Sequence, residues 1–424
     1  MKFSAQLDVN VVAVESVDEV SVMVDLAAPT VTREVARPPA SWQVVLDRSG
    51  SMAGAPLEGA VSALCGLVAR LDERDNFGVV VFDDSAQVVV PAGPLTDKRH
   101  VVRLLGQVVA GGMTDLSGGF LRGLQELKRA SGGEGGTLLL ISDGHANRGV
   151  SDPARLEGIA ASAAGDRLVT STLGYGLGYD ETALVAMARG GSGNHHFAED
   201  PDKAGAAIAS EVSELLTKAV QAASLLITTE PAVALLRLFN DLPAHQVGEG
   251  RVMVELGDLY SGEQRKLLLR LGVPAMAALG LAQIATLELR YVELPALVEQ
   301  VVTLPVQVNV VPGDEAAGRI VDPAVHSEVL FQDAQQAKRR ASEALEQGDR
   351  DTSVSLLADA ERLVGQALAS APPGLAGDLH KERSDVAAMR ERATWEDTTY
   401  MSKMTRSSYH ARNRKRGRTD DPQQ

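Results

Sequence analysis

The chain has 424 residues, of which 45% are hydrophobic and only 4% aromatic, with a formal net charge of −15. At roughly 100–200 residues per domain, this length implies two to four units, whose cores must be built from Val, Leu and Ala rather than rings. The acidic balance disfavours nucleic acid or an anionic membrane surface as the general partner, and the single cysteine, Cys65, excludes an intrachain disulfide. Cys65 lies in an apolar helical pattern, as a buried structural thiol would, and such sparing cysteine use fits a reducing compartment. The opening MKFSAQLDVNVV has no uninterrupted apolar region of the secretory kind. The most apolar stretch, Leu271–Leu287, falls short of about 20 residues and contains Pro274 and Gly280. A cytoplasmic protein without a membrane span is expected.

Residues 1–37 alternate apolar and polar positions, as in Phe3, Ala5, Leu7, Val9 and again Val20, Val22, Val24, which is the period-2 pattern of half-buried strands. Two or three strands cannot close a core, so this segment needs partner strands from elsewhere. From Trp42 to about Ala222 the pattern changes. Short apolar runs (Gln43–Leu46, Gly78–Phe82, Gln87–Val90, Thr137–Ile141, Leu168–Leu173, His196–Ala198) alternate with helical stretches (Leu57–Leu71, Lys98–Val109, Leu116–Arg129, Arg155–Ala164, Glu181–Ala188, Lys203–Val220). That alternation predicts a mainly parallel sheet covered by helices on both faces, and in such folds sites lie at the carboxyl edge of the strands.

Three loops bring oxygen ligands to that edge. The apolar run VVLDRSGSM ends in Asp47 and turns at once into Ser49-Gly50-Ser51. The buried strand TLLLIS ends in Asp143-Gly144, and between the two the turn Gly111-Gly112-Met113-Thr114 offers a hydroxyl at the start of a helix. Carboxylates and hydroxyls with no thiolate or imidazole nearby suit Mg²⁺, Mn²⁺ or Ca²⁺ far better than zinc or copper. The competing reading makes Ser49, Ser51 and Thr114 helix N-caps, where Ser and Thr are favoured anyway. Capping leaves the two strand-end aspartates unexplained.

The order Asp-x-Ser-x-Ser, then Thr-Asp-Leu after a Gly-Gly turn, then Ser-Asp-Gly after a buried strand resembles the von Willebrand factor A (VWA) domain with its metal-ion-dependent adhesion site, over about residues 42–222. The resemblance implies that Ser49, Ser51 and Thr114 bind the ion directly and that Asp47 and Asp143 act mainly through water. Arg48 stands where the family most often has Thr, and Met113 separates the glycines from Thr114. Neither change removes an oxygen ligand. With so few carboxylates the ion keeps residual positive charge and an exchangeable position, which an acidic group of another protein can fill. Mg²⁺ is the default occupant because it retains water and is bound through few carboxylates.

Other stretches carry less. Gly174-Tyr175-Gly176-Leu177-Gly178 lacks the register of a dinucleotide loop and reads as a turn. His195 and His196, adjacent on a strand, point to opposite faces and cannot readily share an ion. No nucleophile arrangement surrounds Cys65, and no general base stands at the rim, so an enzyme is not expected.

From Ala223 to Val311 strands return: Ser224–Thr228, Val233–Leu238, Arg251–Leu256, Arg265–Leu271, Ala282–Val292 and Leu304–Val310. With residues 1–37 these predict a β-sandwich into which the α/β domain is inserted. The segment GDLYSGEQRKLLLRLGVP also looks like the region that follows A domains in bacterial and inter-α-trypsin-inhibitor-like proteins. Beyond Pro323, Glu328–Glu346 and Thr352–Ala369 predict a helical hairpin similar to a single tetratricopeptide unit, and a third helix follows at about Leu375–Arg392. The tail from Lys403 to Arg418 is basic, with no acidic residue. It reads as a solvated, disordered terminus docking on its own acidic body, or as an arm for an acidic partner or nucleic acid.

The fold class expected is α/β: a Rossmann-like VWA domain (42–222) inserted into a β-sandwich (1–41 and 223–322), then a helical region (323–395) and a basic tail (396–424). The function expected is a non-enzymatic interaction module in which a cation at Asp47, Ser49, Ser51, Thr114 and Asp143 captures an Asp or Glu of a protein partner. One alternative is an auxiliary subunit of an ATP-driven remodelling or metal-insertion complex, which would need an ATPase partner because the chain has no G-x-x-x-x-G-K-[ST] loop. Another is self-association, with a carboxylate of one copy meeting the ion of the next.

Overall fold

The computed structural model describes residues 1–30, 39–143, 148–176, 179–198, 204–205, 207–208, 217–294 and 296–414, the last for its backbone only. The chain opens with β1 (Lys2–Leu7), β2 (Val11–Ala13) and β3 (Asp18–Ala27). It then enters an α/β unit built from β4 (Ser41–Asp47), β5 (Asn76–Phe82), β6 (Ala86–Pro94), β7 (Gly136–Ser142), β8 (Leu168–Tyr175) and β9 (Ser192–Ala198). These strands form one sheet in the order β6-β5-β4-β7-β8-β9. All neighbours run parallel except β6, which is antiparallel to β5.

Every residue of β4 and β7 is buried, because the pleat sends alternate side chains into two separate cores. Val44 and Leu46 face α1 (Ala55–Arg70) and α2 (Lys98–Leu105), with Leu57, Leu64, Val101 and Leu105 packed against them. Val45 faces the other way, toward α3 (Leu116–Ser131), α4 (Pro153–Gly165) and α5 (Glu181–Gly190), among Phe120, Leu127, Leu156 and Leu184. From β4 the chain builds outward through β5 and β6, then returns to lay β7 on the opposite side of β4. The order of the strands thus reverses between β4 and β7, and the crevice at their carboxyl ends is where ligands bind in open α/β sheets.

The remaining strands are β10 (Lys218–Thr229), β11 (Ala234–Leu238), β12 (Ala244–Gly248), β13 (Arg251–Tyr260), β14 (Gln264–Val273), β15 (Gly280–Glu293) and β16 (Val298–Val311). They close on the opening segment as two packed sheets, β1-β3-β14-β11 and β12-β13-β10-β15-β16-β2. The partner strands that β3 lacks locally come from β14, in a register that pairs Leu267 with Val24, Leu269 with Val22 and Leu271 with Val20. All six of these side chains lie in the sandwich core, and the α/β unit enters between β3 and β10. Two readings change here. The helix expected over 203–220 does not reach its end, since Lys218 begins β10 and Ala219 and Val220 are buried in the sandwich. Residues 204, 205, 207 and 208 are helical, and most of the others in that span lie outside the described residues. β12, exposed along its whole length, carries no apolar alternation and escaped the reading. The apolar stretch Leu271–Leu287 divides between β14 and β15, and no helix among the described residues is long and apolar enough to cross a membrane.

After the short α6 (Gly313–Ala317), α7 (Pro323–Glu346), α8 (Arg350–Ser370) and α9 (Pro373–Ala393) pack through Ala- and Leu-rich faces. The basic tail departs from the disorder expected of it. Thr398–Arg414 forms a helix, α10, with Met401 and Tyr409 buried. Its charges are neutralised by carboxylates far away in sequence: Arg412 meets Glu382 of α9 at 3.2 Å, and Arg406 meets Glu346 of α7 at 2.6 Å. Residues 415–424, with Lys415, Arg416 and Arg418, lie outside the described residues.

Glu382 also accepts from Lys338 Nζ at 2.7 Å and Gln335 Nε2 at 2.9 Å, and the Lys338 and Glu382 side chains are 0% and 1% exposed. Replacing one member of such a pair strands the other charge in a dry interior, at a cost of about 3–5 kcal/mol. Glu382→Gln is expected to lower unfolding free energy in urea by that amount. Glu382→Leu combined with Lys338→Met should recover most of it, and equal losses in the single and double variants would contradict this.

Candidate metal centre

Asp47 is the last residue of β4 and is fully buried. Burying a carboxylate requires hydrogen bonds to it, and two supply this: the Ser49 N–H donates to Oδ1 at 2.7 Å and the Ser142 hydroxyl donates to Oδ2 at 2.6 Å. Ser142 is the last residue of β7, so the two strands flanking the crevice are joined at their ends. Beyond Asp47 the chain makes a single 3₁₀ turn, Gly50–Met52, which brings Ser49 Oγ and Ser51 Oγ to 3.1 Å from one another. The Ser51 hydroxyl then donates to Asp143 Oδ1 at 3.0 Å. The third loop is laced to this turn through backbone, with Gly111 N–H donating to Arg48 O at 2.7 Å and Gly50 N–H to Gly112 O at 3.1 Å. Thr114, on this loop, is 3% exposed. Side-chain hydrogen bonds thus connect Asp47, Ser49, Ser51 and Asp143 on one rim, and Thr114 joins it through the backbone of its loop.

None of the three hydroxyls caps a helix. Ser49 makes no side-chain cap bond to the 3₁₀ turn, the N-cap of α1 is Gly54, which has no side chain to offer, and α3 is capped by Asp115, whose Oδ1 accepts from Gly118 N–H at 2.8 Å. The capping explanation for these residues therefore fails on geometry.

The electrostatics of the rim favour a cation. Burial pushes the Asp143 carboxyl up to about 6, the charge of Asp47 adds to this, and the Ser51 hydroxyl only partly opposes it. Asp47 is also raised, by burial above all, against the bonds from Ser142 and Ser49. Two carboxylates that resist ionisation are relieved by a positive charge placed between them. Among the described residues no group of three or more His, Cys, Asp or Glu side chains could hold a metal ion. The donors here are mainly hydroxyls, and such a set fits a hard divalent cation that keeps some of its water.

Sequence reasoning missed the brace beneath this rim. The Arg48 guanidinium pairs with Asp83 at 2.9 Å, just past the end of β5, and Asp115 N–H donates to Asp83 O at 2.7 Å. Burial opposes ionisation of Asp83, but the Ser85 N–H, the charge of Arg48, Asp84 and the Gly112 N–H outweigh it and hold its pKa below the usual carboxylate range. A Cβ at position 111 would overlap the Asp83 carboxylate, which makes glycine the residue that fits there. The signal was available, since Asp83 follows a buried apolar strand just as Asp143 does. Of the two adjacent histidines, His195 is half-buried, with Nδ1 bonded to Thr172 Oγ1 at 2.8 Å and Nε2 to Tyr179 OH at 3.2 Å. Gly174 and Tyr175 end β8 and Gly176 follows it, whereas Leu177 and Gly178 lie outside the described residues.

Residues 43–210 match the family model described as von Willebrand factor type A domain. An uncharacterized protein of Synechocystis sp. is 29% identical over 246 residues, covering 55% of this chain and 57% of that protein. Inter-alpha-trypsin inhibitor heavy chain H3 of Homo sapiens is 31% identical over 180 residues, covering 39% of this chain and 20% of that protein. The aligned region therefore spans little more than half of one relative and a fifth of the other. Among solved structures, von Willebrand factor type A from Catenulispora acidiphila superposes with a TM-score of 0.71 at 16% identity, covering 89% of each chain. The ArnB paralog VWA2 from Sulfolobus acidocaldarius gives 0.63 at 15% identity, covering 96% of this chain and 97% of that one. At such identities the likeness is one of fold, and it extends beyond the α/β unit to the sandwich and helices. Residues 43–210 of this chain are a von Willebrand factor type A domain.

Proposed function

We propose that the protein is a metal-dependent interaction module in which a divalent cation at Asp47, Ser49, Ser51, Thr114 and Asp143 captures an Asp or Glu side chain of a protein partner. Mg²⁺ is the occupant that this donor set favours, with Mn²⁺ or Ca²⁺ as alternatives. The observation that carries the reading is the rim itself, where the hydrogen-bonded Ser49 and Ser51 hydroxyls share a strand-end crevice with two carboxylates that resist ionisation. The relatives of the domain point the same way, toward a protein-interaction or adhesion module. When bound, the cation supplies a positive charge with an exchangeable position. Ser49, Ser51 and Thr114 would ligate it, Asp47 and Asp143 would hold its waters, and Ser142 would keep the Asp47 carboxylate aimed at the rim.

Three measurements test this. Partner binding is expected to disappear in EDTA, return with Mg²⁺, and be lost in Asp47→Ala and Thr114→Ala. Binding that survives all of these treatments would reject the mechanism. Ser142→Ala removes only the hydroxyl behind Asp47, and is expected to weaken Mn²⁺ binding about 10–100-fold; unchanged affinity would remove Ser142 from the account. The third measurement is pH-dependent. An Asp143 pKa raised from 3.8 to about 6 means that the cation-free folded state loses stability as pH rises through that window, because folding then holds an ion it disfavours. Mg²⁺ cancels the penalty, so its stabilisation in thermal melts should be larger at about pH 7.5 than at about pH 5. A pH-independent increment would contradict the sign.

A further inference from the structure

Helix α10 reaches the VWA domain at the loop that follows β8. Lys403, 5% exposed, donates from Nζ to Tyr179 O at 2.9 Å and lies over the Tyr179 ring at 3.5 Å from its centroid. Arg406 faces Glu181, at the start of α5, at 3.7 Å. The same helix is anchored elsewhere: Ser402 Oγ donates to Ser342 O of α7 at 3.1 Å, and Asn240 Nδ2, past β11, donates to Asn413 O at 2.8 Å. Tyr179 is therefore gripped by a helix that is itself fixed to the sandwich and to the helical region.

The Tyr179 ring lies directly against Gly174, where any Cβ would overlap it. Gly174 pairs with Ser142 at the carboxyl ends of β8 and β7, and the Ser142 hydroxyl is the donor behind Asp47. From Lys403 to Asp47 there is thus an unbroken sequence of contacts: a buried ammonium on a ring, the ring on a glycine, the glycine paired with a serine, the serine bonded to the carboxylate.

We infer that Tyr179, held by Lys403, is a positioning residue for the cation rim, so that docking of α10 and occupancy of the rim are linked. The inference rests on the proposed cation site and extends it, making the C-terminal helix part of what sets that site's affinity. Linkage is reciprocal for binding: if α10 tightens the rim, a cation in the rim tightens α10 by the same factor.

The test uses the full chain with Mn²⁺ as probe, read by electron paramagnetic resonance, together with hydrogen exchange over Met401–Arg412. Lys403→Met, which keeps the stem and removes the ammonium, is expected to weaken Mn²⁺ binding about 5–20-fold. Lys403→Arg, which restores a charged donor, should return it to within about twofold of wild type. In wild-type protein, saturating Mn²⁺ should slow exchange across α10, a measurement that needs no variant to fold. If the wild type binds Mn²⁺ yet Lys403→Met binds it equally tightly, or α10 exchange ignores Mn²⁺, the linkage is overturned. If the wild type binds no Mn²⁺, the cation site itself is wrong, and the inference falls with it.

Discussion

A carboxylate buried at the point where the strand order reverses is the constraint on which the rest of this protein turns. Asp47 sits in that crevice because β4 is apolar on both faces and central to its sheet, so its final residue has no exposed position available. It is tolerated there because two donors, the Ser49 N–H and the Ser142 hydroxyl, replace the water it gives up. Those bonds fix where the Ser49–Ser51 turn begins and how the end of β7 stands beside it. The loop carrying Thr114 is then laced to the same turn, and Arg48 and Asp83 brace both from below.

The surrounding units hold this crevice in a larger frame. The sandwich takes strands from both sides of the inserted domain, so the chain's entry and exit, β3 and β10, lie in two sheets that share one core. The helical region adds a second tie, since α10 touches α7 and α9, the segment after β11 and the VWA domain. A helix with that many anchors depends on charges matched over long sequence distances, as where Arg412 meets Glu382, itself paired with the fully buried Lys338.

How much of this was legible in the sequence follows from which forces are local. Strands buried on both faces, amphipathic helices and the aspartates that end β4 and follow β7 write themselves as apolar runs with a polar stop, and the α/β unit could be read from them. The three-part motif of Asp47 to Ser51, Thr114 and Asp143 carried the resemblance to its family. Pairings between distant charges leave no periodic trace, which is why α10 read as a disordered tail although its partners Glu346 and Glu382 were in view. The same holds for Arg48, which looked like a bare departure from the family's usual Thr and gains its meaning only beside Asp83. Lys218–Val220 went to a helix because short Ala- and Val-rich runs suit either state, and burial in the sandwich decides. Ser142 was taken as the end of an apolar strand, and its hydroxyl matters only because β7 lies next to β4.

The account depends on one cation meeting hydroxyls from two loops beside two strand-end carboxylates. Crystals grown with Mn²⁺ and measured at its absorption edge address this directly. An anomalous peak within about 2.0–2.6 Å of Ser49 Oγ, Ser51 Oγ and Thr114 Oγ1 is the expected result. Crystals at saturating Mn²⁺ with no peak at that rim, or with Thr114 Oγ1 turned away from the peak, would contradict the claim.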